Sequence, residues 1–228
     1  MIPQSPDLKT DDPIAARLRG FGPLGLLAIV VILLGNAVAT PFSAILVLLW
    51  TWRSHTPWRE IGYVRPTSWI RTIAVGIVFG VAFKLVMKAI VMPLLGGPAI
   101  NPAFHYIAGN TAALPGIVLA VTVGAGFGEE TVFRGYMFER LGKLLGTSAS
   151  AKAVIVVFTT IWFALAHYPV QGVAGVEQAV VTGLVFGTIF AITGQLWMLM
   201  IAHAAFDLTA VAIIYYDLES TVAHWIFK

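Results

Sequence analysis

Long apolar runs separated by short polar or Gly/Pro-rich breaks dominate the chain. They fall at about Phe21 to Ala39, Phe42 to Trp52, Thr72 to Leu95, Ala113 to Phe138, Ala151 to His167, Val176 to Thr193 and Leu196 to Tyr216. Breaks such as Gly96-Gly97-Pro98 end them where a helix is hardest to continue. Spans of about 20 apolar residues fit a bilayer core as helices. The pattern therefore predicts an all-α integral membrane protein, a polytopic helical bundle of about seven (six to eight) transmembrane segments. Phe42 to Trp52 is marginal for a full crossing and reads as a tilted return helix or a half-span. The organisation expected is a polar cytoplasmic N-terminal segment at 1–20, a single transmembrane helical domain at 21–216, and a C-terminal tail at 217–228. The first run lacks a clear small-residue cleavage site and reads as a retained span. No internal repeat is visible, so an inverted-repeat transporter gains no support.

Composition sharpens the membrane reading. Of 228 residues, 58% are hydrophobic and only 11% charged, against about 45–50% and about 25% in soluble domains. The mean hydropathy is +0.87. A net charge of +3 hints at an acidic partner, but the basic residues are few and scattered over loops, which argues against nucleic acid. The absence of cysteine excludes disulfides, thiol catalysis and Cys-ligated metals. From Arg53 to Arg71, Trp52, Trp58, Tyr63 and Trp69 interleave with Arg53, Arg59, Arg65 and Arg71, which reads as a linker lying on the membrane surface. Lys9, Arg17, Arg19, this linker, and Arg140, Lys143 and Lys152 fall on one side if all seven segments cross, whereas the loops near 96–112 and 168–176 carry no Lys or Arg. The asymmetry places the N-terminus in the cytoplasm and the tail outside.

Against this background, ionisable residues inside the spans stand out, because each costs several kcal/mol at bilayer depth. Glu129 and Glu130 are adjacent, and Arg134 follows within the same run. Residues four apart share a face of an α-helix, so Glu130 and Arg134 can pair, while Glu129, turned by about 100°, is left to face something else. His167 closes the next run, one turn after Phe163, and alone it suits a structural role. His203 and Asp207 are four apart in the last run, a spacing suited to a shared metal, a shared water or a polar helix contact. The least costly way to shield all six from lipid is to gather them around one polar cavity. Carboxylate and imidazole together can activate water, directly or through a metal. For His203 to meet the others, the Gly194-Gln195 turn must lie below the interface.

Glu-Glu-x-x-x-Arg at 129–134, Phe-x-x-x-His at 163–167 and His-x-x-x-Asp at 203–207, in that order on successive apolar runs, resemble the CPBP family of intramembrane proteases. That family includes the type II CAAX prenyl endopeptidases and the bacterial Abi or bacteriocin-processing proteins. The segment Gly183 to Gly187 and Thr193 to Trp197 is also similar to the family's approach to its last motif. The resemblance covers about residues 113–210. It implies an intramembrane endopeptidase in which Glu129 activates the attacking water, His167 helps to hold it, and Glu130 with Arg134 orients the first carboxylate. His203 and residue 207 would stabilise the oxyanion or ligate a metal. In the prenyl-endopeptidase branch residue 207 is typically Asn; Asp207 donates a hydrogen bond only when protonated, which favours orientation of His203 or metal ligation instead. Glu129, His167, His203 and Asp207 are the candidate ligands of a divalent metal such as zinc, with glutamate-based and metal-dependent mechanisms both open. The resemblance also implies a bacterial plasma membrane, and as partners membrane lipid and a peptide or protein substrate near the bilayer, including prenylated CAAX-type chains.

Other polar positions have plainer readings. Lys84 and Lys88 are one turn apart within a run and point to snorkelling or a polar cavity. Gly76 with Gly80, and Gly183 with Gly187, allow close helix packing. Glu139 and Arg140 read as a solvated pair at a helix end. The competing class is a non-catalytic membrane protein, an immunity protein, scaffold or proton-coupled transporter, using the same ionisable cluster; proton relays also use Asp, Glu and His.

Overall fold

Proline and the apolar runs set the first three helices. Pro13 and Pro23 sit at the N-terminal turns of α1 (Pro13–Arg19) and α2 (Pro23–Val38), where a missing N–H costs nothing. Asp12 caps α1 through the N–H groups of Ile14 and Ala15, and its hydrogen bond from Arg53 holds its carboxyl down at about 2. In this computed structural model the described residues are 12–227, Ala37 by its backbone alone. Lys9 and the rest of the stretch 1–11, part of the expected polar N-terminal segment, lie outside them. The α3 helix (Thr40–Arg53) has 14 residues, about 21 Å of rise, which is short of the bilayer core.

The larger elements follow as α4 (Trp69–Leu94), α5 (Thr111–Leu145), α6 (Ala149–Thr193), α7 (Trp197–Tyr215) and the short α8 (Glu219–Ala223). All regular elements among the described residues are helical. Four of them, α4 to α7, are long and apolar enough to cross a membrane, and a fifth span exists if the bent pair α1 and α2, at 58°, counts as one. The sequence pattern suggested seven. Part of the difference is α6, whose 45 residues cover two of the expected segments and change course at Gly172, with φ 62° and ψ −155°. A straight helix of that length would run to about 67 Å, over twice the hydrocarbon thickness. Only glycine readily accepts that backbone, so the turn is written into the chain at one residue.

Outward faces are apolar: Ile70, Val78, Leu119, Leu165 and Ile192 are each exposed by more than 60%. A water-soluble bundle does not present such a surface, and together with the span lengths it makes the chain an integral membrane protein.

Interior packing depends on small residues where helices cross. The α4–α7 contact is the most extensive, and a Cβ on Gly80 would lie 2.2 Å from the Ala202 carbonyl oxygen. On the other side of α7, a Cβ on Gly126 would come within 2.9 Å of the Met200 carbonyl oxygen. Backbones can come this close only where the side chain is a hydrogen. Ile32, Val47, Trp50, Val132, Phe133, Tyr136 and Phe163 fill the space between α2, α3, α5 and the first limb of α6.

Two expectations about the ends change. Glu139 and Arg140 are buried, 6% and 4% exposed, and not solvated. Arg140 binds both carboxylate oxygens of Glu139, donates to the Arg19 carbonyl at 2.9 Å, and lies over the Trp50 ring at 4.4 Å. The 53–71 linker is also more than a surface strip. Its 3-10 turn (Trp58–Ile61) tucks Ile61 fully into the core, and Gly62 accepts a hydrogen bond from the Leu196 N–H at 2.9 Å, covering the turn before α7. Tyr63 and Trp69 close over Trp197 with ring centroids 5.2 and 5.3 Å away. Arg19, Arg53, Arg140, Lys143 and the α6 N-terminus thus gather at one end of the bundle, with Lys143 3.7 Å from Glu60, while residues 101–109 meet α7 and α8 at the other.

Candidate active site

Residues Ala120–Tyr136 within α5 form a π-helix, with i→i+5 hydrogen bonds in place of the α-helical geometry assumed from the sequence. Such wide turns are rare and recur at functional sites. Thr122 and Thr131 donate their hydroxyls to carbonyls four residues back, Val118 and Phe127, which helps to satisfy a backbone whose own bonds have shifted. Each residue rotates less than in an α-helix, yet Arg134 still reaches Glu130, Nη1 to Oε1 at 2.9 Å.

That ion pair is the floor of the site. Glu130 is fully buried and the Arg134 side chain is 2% exposed. The guanidinium lies 4.5 Å from the Phe163 ring centroid and 5.7 Å from that of Phe186, so its faces are covered by aromatic rings. Glu130 Oε1 also receives a hydrogen bond from His203 Nδ1 at 2.7 Å. A carboxylate only accepts, so His203 carries a proton on Nδ1 and turns Nε2 the other way.

Nε2 of His203 then lies between two carboxylates, 3.7 Å from Glu129 Oε2 and 3.6 Å from Asp207 Oδ2. Both distances exceed a direct hydrogen bond and suit groups bridged by water or substrate. The Glu129 and Asp207 side chains are 19% and 24% exposed, against 0% for Glu130 and 6% for His203. Accessible carboxylates therefore line the opening, and the fixed ion pair sits behind them. Oε2 of Glu129 is itself enclosed and makes no hydrogen bond among the described residues.

His167 stands beside this group at the end of the first limb of α6. Its Nδ1 donates to the Phe163 carbonyl at 2.8 Å, since a carbonyl only accepts, which leaves Nε2 with a free lone pair. Its ring packs on Phe163 at 4.6 Å, and Phe163 in turn lies 6.2 Å from the His203 ring. The structure thus brings Glu129, Glu130, Arg134, His203 and Asp207 into one contiguous cluster, with His167 reaching it through Phe163. Among the described residues no group of three or more His, Asp or Glu side chains is placed to hold a metal ion together.

Two contributors escaped the sequence reading. Phe186, in the Gly183 to Gly187 run, packs 5.3 Å from His203 and fixes its ring plane. Tyr63, from the linker, donates to Thr131 Oγ1 at 2.8 Å, one residue after Glu130. The Thr131 hydroxyl proton is already given to Phe127, so the phenol must be the donor, and burial pushes Tyr63 up to about 12, keeping that proton in place. Only its interleaving with arginines marked Tyr63 in the sequence, and that pattern signals an interface, not a contact beneath it.

The comparisons with known proteins bear on the same segment. No match was found among curated proteins or among solved structures. The family described as type II CAAX prenyl endopeptidase Rce1-like matches residues 111–209, close to the 113–210 over which the motifs suggested a resemblance. All six site residues fall inside it. Over that segment the chain is similar to the Rce1-like type II CAAX prenyl endopeptidases.

Proposed function

We propose that the chain is an intramembrane endopeptidase in which Glu129 acts as general base on a water held jointly with His167, and that its substrate is a membrane-associated, prenylated CAAX-type chain. The observation that carries this reading is the placement of Glu129 and Asp207 about His203 Nε2, at 3.7 and 3.6 Å, over a buried Glu130–Arg134 pair.

The chemistry follows from the donors and acceptors. Glu129 Oε2 and His167 Nε2 are both acceptors, so a water between them gives each a proton and points a lone pair at the scissile carbonyl carbon. Attack forms the new C–O bond as Glu129 takes the water proton, and the carbonyl electrons move to oxygen. His203, protonated at both ring nitrogens among the Glu129, Glu130 and Asp207 carboxylates, donates from Nε2 to that oxygen, its plane set by Glu130 and Phe186. Collapse of the tetrahedral intermediate breaks the C–N bond, and Glu129 returns the proton to the departing amine. The buried Arg134 pairs with Glu130 and leaves Glu129 free, so one carboxylate serves structure and the other chemistry.

The basic end of the bundle is read as cytoplasmic, in a bacterial plasma membrane, so the substrate reaches the site from that leaflet. The experiment is a peptide-level comparison of cells carrying the native protein with cells carrying Glu129→Ala. Peptides whose length depends on Glu129 are expected; identical peptide sets, together with Glu129-dependent proton flux in proteoliposomes, would move the assignment to a transporter.

A further inference from the structure

A polar cavity of about 60 Å³ lies beside the site on the side facing residues 96–112. Lys84, Lys88, Asn101, Gln171, Gln178 and Glu219 line it. It adjoins the catalytic cluster along two helices, since Gln171 comes four residues after His167 and Ala210, also in its wall, three after Asp207. The Lys84 ammonium lies 4.6 Å from the Phe206 ring centroid, next to Asp207.

The charges of this cavity do not balance. Glu219, 1% exposed, is fully engaged: it accepts from the Asn101 N–H at 2.8 Å and His105 Nδ1 at 2.9 Å, and Lys88 lies 3.6 Å away. Lys88 also donates to the Ala99 carbonyl. Lys84 has no such partner. It is 7% exposed, gives one hydrogen bond to the neutral Gln178 Oε1 at 2.9 Å, and has no ion pair among the described residues. Asp207 and Glu219 act on it only through space. An ammonium sunk in a bundle with a neutral hydrogen bond and two unused donors is costly unless an anion arrives to meet it.

We propose that Lys84, positioned by Gln178 and backed by Lys88, binds the free α-carboxylate at the C-terminus of the peptide substrate and so sets where the chain is cut. This rests on the endopeptidase reading. The cavity lies about one helical turn from the site along α6 and α7, as the offsets of Gln171 from His167 and of Ala210 from Asp207 show. A peptide with its C-terminus blocked leaves Lys84 buried and unmatched, so the site rejects it as well as selecting the free acid.

The test uses the full-length protein in lipid nanodiscs and two S-farnesyl-cysteine peptides with three residues after the cysteine, one ending in a carboxylate and one in a carboxamide. The native protein is expected to prefer the acid by at least about tenfold in kcat/KM, mostly through KM. In Lys84→Met that preference is expected to fall below about twofold, while Lys84→Arg, which keeps the charge, retains it. The acid-to-amide ratio is read within each protein, so loss of folded material does not change it. Equal handling of acid and amide by the native protein, or full preference in Lys84→Met, overturns the proposal. Binding of the same pair to Glu129→Gln is the second arm: if the native protein hydrolyses neither peptide the endopeptidase reading fails, and the carboxylate site then stands or falls on whether the variant binds the acid more tightly than the amide.

Discussion

Nδ1 of His203 lies 2.7 Å from Oε1 of Glu130, the same oxygen that Arg134 holds at 2.9 Å. One carboxylate oxygen from α5 therefore fixes a guanidinium on its own helix and an imidazole on α7. Glu130 is in this sense a positioning residue, and the orientation of His203 depends on a buried charge balance.

Breaking that balance is expected to be a stability event first. Glu130→Ala and Arg134→Ala each leave an uncompensated buried charge, with a cost of about 3–5 kcal/mol. Thermal or denaturant unfolding in detergent measures it. The double variant Glu130→Ala/Arg134→Ala is expected to lose less than the sum of the two, because no lone charge remains; strict additivity would show that the pair is not coupled.

Residue 207 separates two roles for the neighbour of His203. Its carboxylate lies 3.6 Å from Nε2, too far for a direct hydrogen bond. Asp207→Asn keeps the size and adds an NH2 donor on the side where the oxyanion forms, so activity is expected to be retained or raised. Asp207→Ala removes both and is expected to lower kcat by about 10²–10³. Peptide hydrolysis rates decide it: an Asn variant as inactive as the Ala variant would show that the carboxylate charge itself is needed.

Packing between α4 and α7 offers a check that is independent of chemistry. A Cβ at residue 80 meets the Ala202 carbonyl oxygen at 2.2 Å, a backbone atom that cannot swing away. Gly80→Ala is expected to cost about 1–3 kcal/mol and to weaken catalysis as well, because Ala202 immediately precedes His203. An unfolding midpoint equal to that of the native protein would contradict the close approach of the two helices.

How legible this was in the sequence depends on the range of the interaction. The Glu130–Arg134 pair and the shared face of His203 and Asp207 are local, and residue spacing was enough to anticipate them. Convergence of separate helices followed from the cost of ionisable groups in lipid, which leaves few ways to hide them. The π-helical course of Ala120–Tyr136 was not visible, since i→i+5 bonding leaves no periodic mark distinct from an apolar α-helix in so uniformly hydrophobic a run. Nor was the burial of Glu139 and Arg140, because the partners that make it tolerable, Trp50 and the Arg19 carbonyl, are far away in the chain. The merging of two expected segments into α6 rests on one residue, Gly172, whose backbone is displaced without any interruption of the apolar run.

The most direct measurement of the central claim is hydrolysis of an S-farnesyl-cysteine peptide by purified native protein and by Glu129→Gln in the same nanodiscs, with unfolding temperatures recorded for both. Loss of the general base is expected to lower kcat by about 10²–10⁴, while the unfolding temperature stays unchanged because Glu129 Oε2 makes no hydrogen bond that holds the fold. Cleavage by the Gln variant at the native rate would contradict the account.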